Sequence, residues 1–174
     1  SDRGFMLSYG RAWANASNTP YRMFKQFDHE GGIRTPMIAH WPDGIETPGR
    51  LVPAVSHLVD IMPTVLEVTH GDVSQQQPNS KPAIPWDGTS LAKAFTGKLE
   101  HERTLFFQHA RGSALRHGNW KIVREQKKDW ELYDLRNDPL ELNDLATSNP
   151  DKLAELTLRW TRESKRLMRQ AKKQ

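Results

Sequence analysis

Between residues 104 and 171 the apolar pattern changes period once, and that change constrains the fold more than any other feature of the chain. Thr104 to His109, Ser113 to Arg116, Asn119 to Arg124 and Trp130 to Leu135 are short, rich in aromatic and β-branched residues, and separated by turn-forming residues, as strands of an antiparallel meander are. His117-Gly118 supplies a tight turn between the middle two, with Gly118 free to take a positive φ. Asn149 and Pro150 then open a helix, in which Leu153, Leu156, Trp160, Leu167 and Ala171 form one apolar stripe. Such a stripe has to be buried, and the meander is the surface available. The expectation is an α+β subdomain, a four-stranded antiparallel sheet covered by a C-terminal helix.

Upstream, the chain reads as α/β. Met37 to Trp41 is a short apolar run bounded by Pro36 and Pro42, too short for a helix and suited to a buried strand. Arg11 to Thr19 is small and polar and is expected to be a loop at the active site. Ser56 can cap a helix carrying Leu58, Ile61, Met62, Val65 and Leu66, with Gly71 at its end. Pro63 should kink it or make it restart, with Asp60 as a second cap. Residues 72–86 hold three Pro and a Gln-Gln-Gln run and form the expected linker between a first part, 1–71, and a C-terminal part, 87–174. The latter opens on Asp87-Gly-Thr-Ser90 and a short helix, Leu91 to Thr96, stopped at Gly97.

Six Trp and six Phe among 174 residues support a core, and no run approaches the length of a membrane span. Cysteine is absent, which excludes disulfides, thiolate metal sites and a cysteine nucleophile. The net charge of +4 is concentrated at the end: from Asp151 onward eight Lys/Arg face three acids, a pattern that reads as a solvated helix face. His29-Glu30 and His101-Glu102 lack the second His of a zinc protease. No dinucleotide fingerprint, phosphate loop or Gly-x-Ser-x-Gly elbow occurs.

The richest chemistry lies in Lys25-Gln-Phe-Asp-His-Glu30-Gly-Gly-Ile-Arg34-Thr-Pro36. One cation precedes an acidic cluster and a Gly-Gly turn, where close backbone approach or positive φ is allowed. Glu30 and Arg34 can pair across that turn and fix the loop presenting Lys25. Together with Ser1-Asp2, this stretch resembles the C-terminal part of the sulfatase family, arylsulfatase-like enzymes of alkaline-phosphatase-type fold. The resemblance extends through Trp13 to Pro20, Pro36 to Pro42, Asp60 to Thr64, Asp87 to Leu91, Gly118 to Val123 and Trp130 to Pro139, in order.

The resemblance implies a chain that begins partway through a sulfuric ester hydrolase acting on a sulfated small molecule or glycan, in a periplasmic or secreted setting. It implies Lys25 as a sulfate contact, Glu30 and Arg34 as its support, and His29 as a substrate contact or proton donor. Asp2 would ligate Ca²⁺. Position 3 is Arg where the family has Asn, and a guanidinium offers Ca²⁺ no acceptor. The formylglycine nucleophile and most metal ligands would lie in the missing N-terminal part, since Ser148-Asn-Pro-Asp-Lys152 reads as a helix cap. The isolated chain is accordingly expected to be inactive and, through apolar surface left uncovered, to self-associate. An alternative is a non-catalytic carbohydrate- or sulfate-binding module presenting Trp120 and Trp130. His57 is expected to cap its helix, with His109 and His117 near a pocket mouth. A nucleic-acid partner is not expected, because no exposed aromatic interleaves the basic residues.

Overall fold

The computed structural model describes residues 10–71, 87–97, 102–109 and 112–172. The chain forms two compact units, Ser1–Pro36 with Thr104–Gln174, and Met37–Arg103. The expected linker 72–86 lies outside the described residues, as do Asp2 and Arg3.

The first unit contains the expected meander. Strands β1 (Thr104–His109), β2 (Gly112–His117), β3 (Trp120–Glu125) and β4 (Glu131–Asp134) pair antiparallel in chain order. His117 pairs with Trp120, so Gly118 and Asn119 make a two-residue turn, and Gly118 takes φ +58°, the sign that primed hairpin turns require at this position. Register and pleat then divide the side chains. Phe106, Leu115, Ile122 and Leu132 share one face through their cross-strand pairs. Leu115, Ile122 and Leu132 are fully buried with Leu156 of the C-terminal helix.

Helix α5 (Pro150–Ala171) covers that face as its stripe predicts, with Leu153 and Trp160 packed beside Leu156. The Trp160 ring stacks on Phe106 at 5.5 Å and meets Trp130 edge-on at 5.4 Å. Burying four side chains the size of Leu in this layer contributes roughly 6–12 kcal/mol before entropy is counted. The stripe runs out early, for Leu167 is half-buried and Ala171 exposed. Pro150 stands at the start of α5 as expected, but the Asn149 side chain donates to Ser148 Oγ at 3.0 Å and caps nothing. Trp120 and Trp130 belong to the same buried layer. Lys152 lies over the Trp120 ring, and Arg124 over the Trp130 ring. Their faces are therefore already used, against the expectation of a carbohydrate platform.

The polar stretch expected to be a loop is helical: α1 spans Gly10–Ser17. Its amide side chains fold back onto carbonyls instead of breaking the turn, Asn15 Nδ2 donating to Arg11 O at 3.2 Å and Asn18 Nδ2 to Ala14 O at 2.7 Å. A single helical turn, α2 (Glu30–Ile33), follows in the Gly-Gly segment.

The second unit is built on Asp60. A 3₁₀ turn, Leu58–Asp60, restarts as α3 (Ile61–Val68) just ahead of Pro63, and α4 (Ala92–Phe95) follows. His57, not Ser56, caps this entry, its Nδ1 accepting from Val59 N at 3.3 Å. The Asp60 side chain does not cap α3. Fully buried, it accepts from His57 N at 2.7 Å, from Thr89 N at 2.9 Å and from both terminal nitrogens of Arg103. Thr64 Oγ1 donates to Asp60 O at 2.6 Å and accepts from Leu91 N at 2.8 Å. Gly88 lies so close to the 3₁₀ turn that a Cβ would sit 2.0 Å from Val59 O. Burial alone would push the Asp60 carboxyl up, yet these donors hold it below its usual range.

Met37 to Trp41, expected to be a buried strand, is extended without a ladder, and Ile38 is 94% exposed. A strand needs a neighbour for its N–H and C=O groups, and none of the described segments pairs with this one. Leu51 and Leu58 in the same unit are also exposed.

Replacing Asp60 with Ala leaves the largely buried Arg103 guanidinium without its carboxylate partner and strips the acceptor from two backbone donors. The expected loss is about 3–5 kcal/mol of stability, measured by urea unfolding; a loss below 1 kcal/mol contradicts the role given to Asp60.

Candidate functional site

Residues 21–34 lie on the sheet face opposite α5, and two glycines let them coil tightly there. Gly31 N donates to Arg22 O at 3.0 Å, and Gly32 N to His29 O at 2.8 Å. A Cβ at Gly31 would stand 2.2 Å from Arg22 O, and one at Gly32 1.9 Å from Phe27 O. Close approach is thus what selects glycine at both positions. The coil projects Lys25 and Gln26 on an exposed turn, with Gln26 at φ 87° and the Phe24 and Phe27 rings packed edge to face behind it at 5.1 Å.

Beneath the turn the charges are buried and mutually engaged. Lys121 belongs to β3, on the pleat opposite Ile122, and is fully buried. Its Nζ lies 2.8 Å from Glu30 Oε1, a hydrogen bond, and 2.7 Å from Glu141 Oε1, a charge contact without hydrogen-bond geometry. Glu141, itself buried at φ 58°, accepts the Glu30 backbone N–H on Oε2 at 2.8 Å. Arg34 completes the group from outside, 3.6 Å from Glu30 Oε2 and over the Tyr21 ring at 4.8 Å. The expected Glu30–Arg34 pairing is present, but Lys121 is the nearer partner of Glu30.

A second cluster adjoins it. His29, 1% exposed, meets Glu131 Oε2 through Nε2 at 3.1 Å, and Tyr133 OH donates to the same oxygen at 2.5 Å. Arg22 donates to Tyr133 OH at 2.9 Å and to the Glu141 carbonyl, and lies 3.7 Å from Glu131 Oε2. Burial pushes the Glu131 carboxyl up, but the His29 and Tyr133 hydrogen bonds and the charges of His29 and Arg22 outweigh it, bringing it to about 2. Burial and the bond to Glu131 push the Tyr133 phenol well above its usual range. Asp28, next in sequence, is also buried. Its carboxyl is raised chiefly by that burial, and Oδ2 has no hydrogen-bond partner.

Of the residues singled out by sequence, then, Glu30, Arg34 and His29 come together with Lys121, Glu131, Tyr133, Glu141 and Arg22. Lys25 stands apart from them on the surface, without a hydrogen bond or ion pair to another described residue. His29 is held inside by Glu131. Five residues of the cluster were not anticipated. The available signals are Lys121, a charge inside the strand-like run Trp120-Lys-Ile-Val123, and Glu131, a charge inside Trp130-Glu-Leu-Tyr133. Glu141 gives no signal, since its place depends on a backbone turn. Among the described residues no group of three or more His, Asp or Glu could hold a metal ion. No described helix is long and apolar enough to cross a membrane.

The first unit is thus a four-stranded antiparallel sheet with a helical cover on one face and a glycine coil held to the other by buried charges. Residues 21–170 match the family model described as N-sulphoglucosamine sulphohydrolase, C-terminal, and the chain belongs to that family. It is 35% identical over 159 residues to a protein of Schizosaccharomyces pombe described as an uncharacterized sulfatase, covering 87% of this chain and 28% of that one. The choline-sulfatase of Rhizobium meliloti is 33% identical over 156 residues, covering 86% of this chain and 26% of the relative. Among solved structures, Ps i-CgsB superposes with a TM-score of 0.72 at 25% identity, covering 84% of this chain and 32% of that chain. It has also been solved in complex with k-i-k-neocarrahexaose. The chain thus spans between a quarter and a third of the length of these relatives.

Glu131 gives a pH signature with a definite sign. Its carboxyl titrates at about 2 when folded against a reference of 4.5. The stability it contributes is complete above pH 4.5 and is lost as pH falls towards 2, on the order of 3 kcal/mol in all. The thermal midpoint of Glu131→Gln is expected to fall below that of the native chain at pH 7 and to show a flatter acid dependence between pH 4.5 and 2. Parallel pH profiles for the two proteins contradict this account.

Proposed function

We propose that the chain is the C-terminal part of a sulfate ester hydrolase and that Lys25 contacts the sulfate group. The observation that carries this is the contrast between Lys25 and its neighbours. Arg22, His29, Glu30 and, from the outer side, Arg34 are each engaged with groups that anchor the coil, while Lys25 is exposed on the turn so anchored and bonds no described residue. A compact ammonium at that point offsets a bound sulfate and stabilises charge growing on the transferring group and leaving oxygen. Glu30 and Arg34 support the turn, and His29 sets the position of the coil through Glu131.

The substrate class follows from what the relatives share. One is described as a choline-sulfatase, and another, from Bacteroides thetaiotaomicron, as an N-acetylglucosamine-6-O-sulfatase. A small cation ester and a carbohydrate have little in common beyond the sulfate, so the sulfate is what a turn common to this family would recognise. Whether the rest of the substrate is a small molecule or a glycan depends on walls supplied by the remainder of the parent. That remainder would also supply the formylglycine nucleophile. The Ca²⁺ implied by the family would draw on Asp2 and on residues beyond this chain. The described residues bring together no ligand set for it. Exposed Met37, Ile38 and Trp41 would be covered by that remainder in the parent, and would drive self-association of the isolated chain.

In the intact parent enzyme, Lys25→Ala is expected to lower kcat/KM on an aryl sulfate by 10²–10³-fold, with Lys25→Arg retaining part of the activity. The thermal midpoint should not change, because the side chain is exposed. The isolated 174-residue chain serves as the control without a nucleophile and should show no turnover. Full activity in Lys25→Ala, or turnover by the isolated chain, overturns the reading.

A further inference from the structure

Helix α5 treats its charges differently along its length. Near the start, Lys152 and Arg159 both bond Glu155, at 2.6 and 3.1 Å. Beyond Arg159 there is only one acid, Glu163, which bonds Arg166 at 2.8 Å. Arg162, Lys165 and Arg169 make no hydrogen bond or ion pair with a described residue. These three, with Arg166 and Gln170, line one shallow groove. Their spacing of three and four places them on one helix face. At 1.5 Å per residue the row from Arg162 to Arg169 runs about 10 Å.

Like charges at this spacing destabilise a helix by a few tenths of a kcal/mol per pair. The helix dipole offsets that only within the last turn, so it accounts for Arg169 and not for Arg162 or Lys165. An anionic partner does account for all of them. Nucleic acid fits poorly, because no exposed aromatic stands among the cations to stack on bases; Trp160 is engaged with Phe106 and Trp130. A membrane surface fits poorly too. It needs a continuous apolar face beside the basic one, and the apolar stripe of α5 packs on the sheet, leaving Leu158 and Met168 as isolated exposed large apolar residues of the helix. What remains is recognition of separate anionic groups by point charges and guanidinium forks, which match the oxygens of a sulfate.

We infer that the outer face of α5, at Arg162, Lys165, Arg166 and Arg169, docks sulfated polysaccharide. The choice of polyanion rests on the sulfatase reading, whereas the surface itself does not. In a parent acting on a polymer, this face would hold a stretch of chain away from the sulfate being cleaved, increasing affinity for long substrates over short ones.

The test is the affinity of the 174-residue chain for dextran sulfate, with unsulfated dextran and single-stranded DNA of equal charge as competitors. Arg162→Gln/Lys165→Gln/Arg169→Gln is compared with Arg11→Gln/Lys127→Gln/Lys128→Gln, which removes equal charge at exposed positions elsewhere. Salt-sensitive binding of dextran sulfate is expected. The α5 triple should weaken it at least tenfold and the control triple less than threefold, with circular dichroism unchanged in both. Equal losses in the two triples, no binding by the native chain, or DNA binding as tight as dextran sulfate each overturn the inference. Because binding is read without turnover, failure of the sulfatase reading shows separately, as an inactive parent whose α5 face still binds.

Discussion

A lysine with no solvent exposure, placed between two buried glutamates, is the interaction on which the first unit depends. Lys121 reaches Glu30 and Glu141 at 2.8 and 2.7 Å. It stands on the central strand β3, so its position is fixed by ladders on both sides. Buried ion groups of this kind add little net stability over apolar substitutes, because desolvation offsets attraction. Their consequence is uniqueness, since removing one member leaves a charge that the site cannot solvate. The sheet face could have been closed by apolar residues against any amphipathic segment. With Lys121 at its centre it accepts a segment that delivers a carboxylate, and residues 28–34 deliver it.

The remaining features of the coil serve that docking. Gly31 and Gly32 let the backbone pass within distances no Cβ tolerates. Glu131, held ionised by His29, Tyr133 and Arg22, secures the other end. An exposed cation on a turn ordinarily samples many positions, because a lysine side chain carries about 2 kcal/mol of rotamer entropy. Here the base of the turn is held at several points, and only the Lys25 side chain remains to be ordered by a ligand. Such preorganisation is what an anion site requires for charge stabilisation without reorganisation. The second unit uses the same device, with Asp60 drawing the 3₁₀ turn, the segment at Thr89 and Arg103 together.

Local periodicity made the sheet and α5 legible in the sequence. The four strands match their expected bounds within about one residue, and Leu153, Leu156 and Trp160 fall on the sheet as their spacing requires. Pairing information was not legible. The apolar run at residue 38 reads as a strand, yet nothing described pairs with it, since a strand is defined by a neighbour. The polar stretch at Asn15 reads as a loop, yet its amides bond carbonyls one turn back. In the site, the Gly-Gly turn and the Glu30–Arg34 pair could be read from adjacent residues. Lys121 and Glu141 are separated from Glu30 by more than half the chain, and no local pattern records that contact. The alternative of an exposed platform at Trp120 and Trp130 stays open in the sequence because sequence does not show which aromatic faces are already occupied.

The central claim is that Lys121 holds the coil that presents Lys25, and backbone hydrogen exchange tests it most directly. The amides of Gly31, Gly32 and Arg34 are bonded to Arg22 O, His29 O and Glu30 O within the coil, whereas that of Ile122 belongs to the sheet. In Lys121→Met, which keeps the length of the side chain and removes its charge, these three amides should lose protection by at least an order of magnitude while Ile122 stays protected. Unchanged protection at Gly31, Gly32 and Arg34 would contradict the account, for the coil would then be held by something other than the buried lysine.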